Sequence, residues 1–212
     1  QVQLDLYHST QHPGSDADTL QMIKIVTEQN DRLGKMVKTL LDMSELQSVA
    51  RNDKIELHSL IEEVLTDLEP LAQEKNIELI QKTQNLRDEK AENKTADLIL
   101  TGSDILIYRM LYNLVENAIK YNHTNGTVTV SAVRMKNTVV LTVADTGNGI
   151  EESFREQIFE PFFRIDKSRS RQLGGVGLGL ALVREIVRVH DGTIEVHGNE
   201  QGGTTFEITM GL

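Results

Sequence analysis

Four short segments fall in a fixed order along the second half of the chain, and together they leave few folds open. They are Asn113-Leu-Val-Glu-Asn117-Ala-Ile-Lys120, Asp145-Thr-Gly147-Asn-Gly149, Phe159-Glu-Pro-Phe162-Phe163-Arg164 and Gly175-Val-Gly177-Leu-Gly179. The first lies inside a run of helical periodicity, 104–121. The second ends an alternating apolar stretch, Val139-Val-Leu-Thr-Val-Ala144, which reads as a strand. The fourth opens onto an apolar helical run, giving a predicted helix over 176–190. The third sits in 146–174, where apolar periodicity fades and charges crowd. A loop of that length inside a compact domain is a lid or a disordered segment.

The remaining elements complete a mixed sheet. Strands are predicted at 54–57, 77–81, 97–100, 127–133, 138–144, 193–197 and 204–210, with a further helix at 59–74; Asn125-Gly126 and Gly202-Gly203 mark turns. The expected fold is an α/β sandwich (α+β), a mixed, mostly antiparallel sheet with helices on one face. Ahead of it, Ile23, Val26, Asn30, Leu33, Val37 and Leu40 recur with steps of three and four, the seam of a coiled coil or helical bundle. Residues 1–7 read as a helix tail, 8–16 as a loop, and 17–49 as a long helix. The polar break 50–53 separates two expected domains, 1–50 and 51–212. The start, Gln1-Val-Gln-Leu, has no Met and falls mid-pattern, as in a piece of a longer chain.

A hydrophobic share of 39% can build a core, and a net charge of -10 argues against general affinity for DNA or RNA. With no cysteine there are neither disulfides nor thiolate metal sites. No apolar run approaches the ~18 residues of a membrane span, so no membrane contact is expected of this chain.

The segments carry specific chemistry. On a helix, Asn113, Asn117 and Lys120 fall within about 60° of arc, opposite Tyr108, Leu111, Val115, Ala118 and Ile119. One side would pack on the sheet while the other presents two amides and an ammonium. An amide oxygen is a hard ligand suited to Mg²⁺, and Lys120 is a point charge for a phosphate. The same residues also describe a plain solvated face, and this helix alone does not separate the two. Asp145, acceptor-only when ionised, would take the exocyclic amine of adenine and repel the carbonyl of guanine; Gly147 and Gly149 would let backbone approach the ring. An aspartic-protease reading of Asp-Thr-Gly needs a second such carboxylate, and no second Asp-Thr-Gly exists. Glycines at a helix start leave N–H groups open to an anion. The lid is basic in an acidic chain, with Arg164, Lys167, Arg169 and Arg171, and would attract a triphosphate.

In this order the segments resemble the N, G1, F and G2 boxes of the catalytic domain of bacterial sensor histidine kinases, within the superfamily shared with gyrase-type and Hsp90-type ATPases. The resemblance implies a Bergerat-type ATP-binding fold preceded by part of a dimerisation hairpin, with ATP and Mg²⁺ as ligands. It gives the metal to Asn117. It puts Asn113 where gyrase-type relatives keep a water-activating Glu, which tilts the site toward transfer rather than hydrolysis. Glu116 becomes a candidate proton acceptor, so that Asn113, Glu116 and Lys120 form the candidate catalytic set. The implied nucleotide contacts are Asn113, Asn117, Lys120, Tyr121, Asp145, Gly147, Gly149, Ile150, Phe162, Arg164, Lys167, Gly175, Val176, Gly177, Leu178, Gly179, Leu180 and Thr205.

The family phosphorylates a histidine in a His-Glu-x-x-Thr-Pro type context, and none of the six histidines here has that context. The acceptor is expected upstream of Gln1, and the chain by itself is not expected to label itself. The resemblance further implies a response-regulator receiver domain as partner, a homodimeric, membrane-anchored parent, and a cytoplasmic location. A serine kinase or ATPase of the same superfamily, or an inert nucleotide-fold interaction module, remain the rival readings.

Overall fold

A computed structural model describes residues 17–85, 98–165 and 176–212. The helix tail and loop expected over 1–16, and Lys167, Arg169, Arg171 and Gly175, lie outside the described residues. The chain divides into two compact units, 1–42 and 43–212. In the first, helix α1 (Ala17–Glu45) follows the predicted seam and leaves much of it open. Val26, Leu33, Val37 and Leu40 are all exposed, as are Leu20, Met22 and Ile25.

The second unit orders its elements as β1 (Asp53–Glu56), α2 (Leu57–Gln73), β2 (Glu78–Asn85), β3 (Ile99–Gly102), α3 (Asp104–Lys120), β4 (Thr127–Met135), β5 (Thr138–Asp145), two short 3-10 turns (Glu152–Phe154 and Gln157–Phe159), α4 (Gly179–Val189), β6 (Thr193–Gly198) and β7 (Thr204–Gly211). Five strands form one sheet in the order β2-β4-β5-β7-β6, and β1 pairs with β3 in a small second sheet. Only β2 and β4 run parallel, their crossover supplied by β3 and α3; the other pairs are antiparallel.

Strand alternation decides the layers. Val128, Val130 and Ala132 on β4, Val139, Leu141 and Val143 on β5, and Phe206, Ile208 and Met210 on β7 are all buried on the face under the helices. The opposite face carries Thr129, Ser131, Thr142 and Thr209, half-buried and polar. Helix α3 lies between α2 and α4. It buries Leu106, Ile107, Met110, Leu111, Leu114, Val115, Ala118 and Ile119, a wider apolar arc than one sheet contact needs. The Tyr108 hydroxyl donates to Asp67 of α2.

Both ends of α3 are fixed from outside. At its start, the Ser103 N–H donates to Nε2 of His190 at 3.0 Å. The bond makes Nε2 the acceptor, so Nδ1 carries the hydrogen and donates to the Ile186 carbonyl at 2.8 Å. At its end, the Lys75 ammonium donates to the carbonyls of Ile119 (3.1 Å) and Lys120 (2.6 Å), where the helix dipole favours a cation.

Two expectations change. The last helix starts at Gly179 rather than Val176, because Gly177 takes φ +80°, a left-handed conformation that cannot continue a helix. The stretch 146–174 is not featureless where it is described: its 3-10 turns bury Ile158 and Phe159.

Candidate ATP-binding site

Asp145 is the last residue of β5 and only 9% exposed. Its Oδ1 accepts the backbone N–H groups of Gly147 (2.8 Å) and Thr204 (3.2 Å), while Oδ2 takes no hydrogen bond among the described residues. Burial pushes the carboxyl above its ordinary value, and the two N–H donors, with His123, pull it back only in part. The result is a buried carboxylate with one oxygen saturated by the protein and one open.

The turn after it needs its glycines. Gly149 has φ +67°, and a Cβ there would meet the Gly202 carbonyl at 2.7 Å. A Cβ on Gly147 would meet the Tyr121 carbonyl at 2.6 Å, and that same carbonyl accepts from the Asn148 backbone (3.4 Å) and side chain (3.1 Å). The Asp145 turn thus lies against the C-terminal end of α3. Tyr121 itself is exposed, and Ile150 is half-buried against the core.

On α3, Asn113, Glu116, Asn117 and Lys120 are all half-buried, as the predicted face requires. Asn113 donates through Nδ2 to the Arg109 carbonyl at 2.7 Å, and its Oδ1 lies 2.8 Å from where a Cβ of Gly179 would stand. So the start of α4 rests on Asn113, and only glycine lets it come so near. Asn117 makes no side-chain hydrogen bond among the described residues. Lys120 and Glu116 form an ion pair at 2.7 Å, which links two candidates that the sequence assigned to separate tasks.

The third and fourth segments also meet. The Phe162 N–H donates to the Gly177 carbonyl at 2.7 Å, and Phe162 is itself exposed with φ +66°. Phe159 anchors the stem, edge-on to Phe206 with the Arg184 guanidinium 5.8 Å over its ring; Phe163 packs beside Phe154. Arg164, Val176 and Leu180 are half-buried and Leu178 is buried. Leu178 offers no side-chain cap to α4, so the helix's first N–H groups keep the anion-binding character of an uncapped terminus.

The structure therefore links the predicted segments in series: G1 turn to N box through Tyr121, N box to α4 through Asn113, G2 to lid stem through Gly177. Lys167 and Gly175 lie outside the described residues. Thr205 is the exception. It pairs with Ala144 on the outer face of the sheet, whereas Thr204, one residue earlier, is buried and donates to Asp145. The Thr204 bond is made by its backbone N–H, so it leaves the expected nucleotide contact of the Thr205 side chain as a proposal. Sequence reasoning also missed Asn199, which bonds the Asp145 carbonyl at 2.8 Å, and Lys75, since both act across long sequence separations with no local pattern. A groove of about 460 Å³ between α2 and β2, lined by Leu65, Thr66, Pro70 and Leu79 among others, contains none of these residues.

Comparison with known proteins matches residues 102–212, more than half of the chain, to the family described as histidine kinase-, DNA gyrase B-, and HSP90-like ATPase. The sensor-like histidine kinase SenX3 of Mycobacterium bovis is 34% identical over 200 residues, covering 92% of this chain and 46% of that relative. The chain thus spans about half the length of the curated relatives it matches. Among solved structures, the catalytic domain of histidine kinase ThkA has a TM-score of 0.65 at 28% identity, covering 76% of this chain and 96% of that one. ThkA in complex with the response regulator protein TrrA has a TM-score of 0.70 at 26% identity, covering 98% of this chain and 55% of that chain. With its four segments linked by these contacts, the chain belongs to the histidine kinase-, DNA gyrase B- and HSP90-like ATPase family, as an ATP-binding domain of the sensor histidine kinase kind.

Proposed function

We propose that this chain is the part of a sensor histidine kinase that holds ATP and transfers its γ-phosphoryl group to a histidine imidazole, for relay to an aspartate of a response-regulator receiver domain. One observation carries the reading: a buried carboxylate, Asp145, whose Oδ1 is taken by two backbone donors and whose Oδ2 is open. The open oxygen accepts the exocyclic amine of adenine. Asn117 offers the amide oxygen for Mg²⁺. One amide ligand leaves the rest of the coordination shell of the ion to phosphates and water. Such an ion would shield the phosphate charge.

Lys120 supplies a cation to the phosphates, and the open N–H groups of α4 receive their oxygens. Asn113 cannot take a proton from water, and its Nδ2 is committed to its own helix. Glu116 pairs with Lys120 and is the candidate acceptor for the proton of an attacking imidazole. In this reading the phosphorylated imidazole is none of the six histidines of this chain, because none stands in a His-Glu-x-x-Thr-Pro type context; His190 in addition has both ring nitrogens engaged. We assign residues 1–50 to a dimerisation element, supported by the exposed apolar seam of α1, and residues 51–212 to the catalytic domain. The ThkA–TrrA complex supports a receiver-domain partner. No described helix is long and apolar enough to cross a membrane; membrane anchoring belongs to the proposed parent protein, with this portion on the cytoplasmic side.

The test is Asp145→Asn. The two N–H donors hold an oxygen at the Oδ1 position, so the new amide NH₂ falls at Oδ2 and meets the adenine amine donor to donor. ATP affinity is expected to fall about 10- to 100-fold by calorimetry. Inosine triphosphate, with a carbonyl in place of the amine, should gain. Unchanged ATP affinity would remove Asp145 from base recognition.

A further inference from the structure

Asn199 follows β6 at the mouth of the β6–β7 turn and is half-buried. Its side chain is saturated. Oδ1 accepts the N–H groups of Gln201 (3.2 Å) and Gly203 (3.0 Å), a local pattern that any turn-forming Asn could make. Nδ2 does something the turn does not need: it crosses to the end of β5 and donates to the Asp145 carbonyl at 2.8 Å, with longer contacts to the Thr204 carbonyl (3.3 Å) and Thr205 Oγ1 (3.5 Å). Gly203 runs so close beneath that a Cβ on it would stand 1.9 Å from the same Asp145 carbonyl.

Asp145 is therefore held at one point by Asn199 directly and at a second, beside the Gly147 N–H, through the loop that Asn199 organises. Its main-chain carbonyl is held by Asn199 directly. Its Oδ1 is held by the Thr204 N–H, whose position is set by the loop that Asn199 organises through Gly203. With carbonyl and Oδ1 fixed, the remaining oxygen has one direction in which to point.

We propose that Asn199 is the positioning residue for base selection: it aims the open carboxylate oxygen of Asp145, so that discrimination between a 6-amino and a 6-oxo purine depends on it although it touches no nucleotide. The inference rests on Asp145 being the adenine acceptor.

The experiment measures dissociation constants of ADP and inosine diphosphate by calorimetry on the whole chain, for wild type, Asn199→Ala and Asn199→Asp. Wild type should favour ADP. Asn199→Ala should lose about tenfold in ADP affinity, the size of one misplaced charge-assisted hydrogen bond, with inosine diphosphate nearly unchanged, so that the ratio collapses. Asn199→Asp keeps both acceptor bonds to the turn and replaces the Nδ2 donor, with its contacts to Asp145, Thr204 and Thr205, by an acceptor-only carboxylate oxygen, and its ratio should collapse as well. If Ala proves too unstable to purify, Asp carries the test alone. A wild-type ratio retained in a folded Asp variant, or equal losses for both nucleotides in a folded Ala variant, makes Asn199 a turn former and overturns the proposal. A wild type that binds ADP without favouring it over inosine diphosphate overturns the assignment of Asp145 instead.

Discussion

The two ends of the proposed ATP site are built by opposite means. At the base end, Asp145, Gly147, Gly149, Gly203 and Thr204 are locked by backbone donors and by carbonyl contacts that exclude even a methyl group. At the phosphate end, Asn117 has no side-chain partner among the described residues, and Lys120 and Glu116 hold only each other on a half-exposed helix face. The difference follows from the ligand. A purine is rigid and must be told apart by one exocyclic group, which needs fixed geometry. A triphosphate with its metal changes charge and shape as the γ-phosphoryl leaves, which favours side chains with unfilled valences.

The base end should break in one step. Gly203→Ala places a Cβ against the Asp145 carbonyl, and backbone must move to admit it. A loss of about 3 kcal/mol in unfolding free energy is expected, read by urea denaturation, with adenine selectivity lost. A normal midpoint would mean that the turn is looser than the geometry states. Asp145→Asn sharpens the same end from the other side. Burial raises the folded-state pKa above the ordinary 3.8, so the folded chain holds more protons in that window. The stability this contributes is fully present below 3.8 and is lost as pH rises through the folded-state pKa. At neutral pH the ionised carboxylate therefore burdens the nucleotide-free protein, and Asp145→Asn should melt higher than wild type while binding ATP worse. A lower melting temperature at pH 7 would contradict the burial argument. At the phosphate end, Asn117→Ala should weaken ATP binding at least about tenfold with Mg²⁺ present and hardly at all in chelator. Equal losses in both conditions would take the metal away from Asn117.

That contrast also explains what could be read from the chain alone. The shared face of the proposed phosphate end was legible because it is a surface pattern: Asn113, Asn117 and Lys120 fall together by spacing, and all three are half-buried together. Asp145 and its glycines stood out because a strand ends in Asp-Thr-Gly with no second such carboxylate to make the motif a protease dyad. Sheet and helices followed from period. What escaped was tertiary. The Thr204 N–H on Asp145 escaped because it depends on the pairing of β7 with β5. Asn199 reaches Asp145 across a separation of 54 residues. The start of α4 was misplaced by the left-handed backbone at Gly177, which apolar periodicity does not record.

The smallest expected effects fall on the Glu116–Lys120 pair, and they separate two roles that structure alone joins. As an i,i+4 pair at 24% and 28% side-chain exposure, it should contribute less than about 0.5 kcal/mol to folding. Neither Glu116→Gln nor Lys120→Met is thus expected to move the melting temperature much. Their effects on ATP should have opposite signs. Lys120→Met removes a cation from the phosphates and should weaken binding about two- to fivefold. Glu116→Gln releases that cation from its carboxylate and lowers the local negative charge, so binding should tighten by a similar factor, more at low salt than at high. If Glu116 also accepts the imidazole proton, Glu116→Gln will bind ATP better yet transfer its phosphoryl group more slowly to a histidine supplied in trans. A variant that binds better and transfers at the wild-type rate leaves Glu116 with its electrostatic role alone.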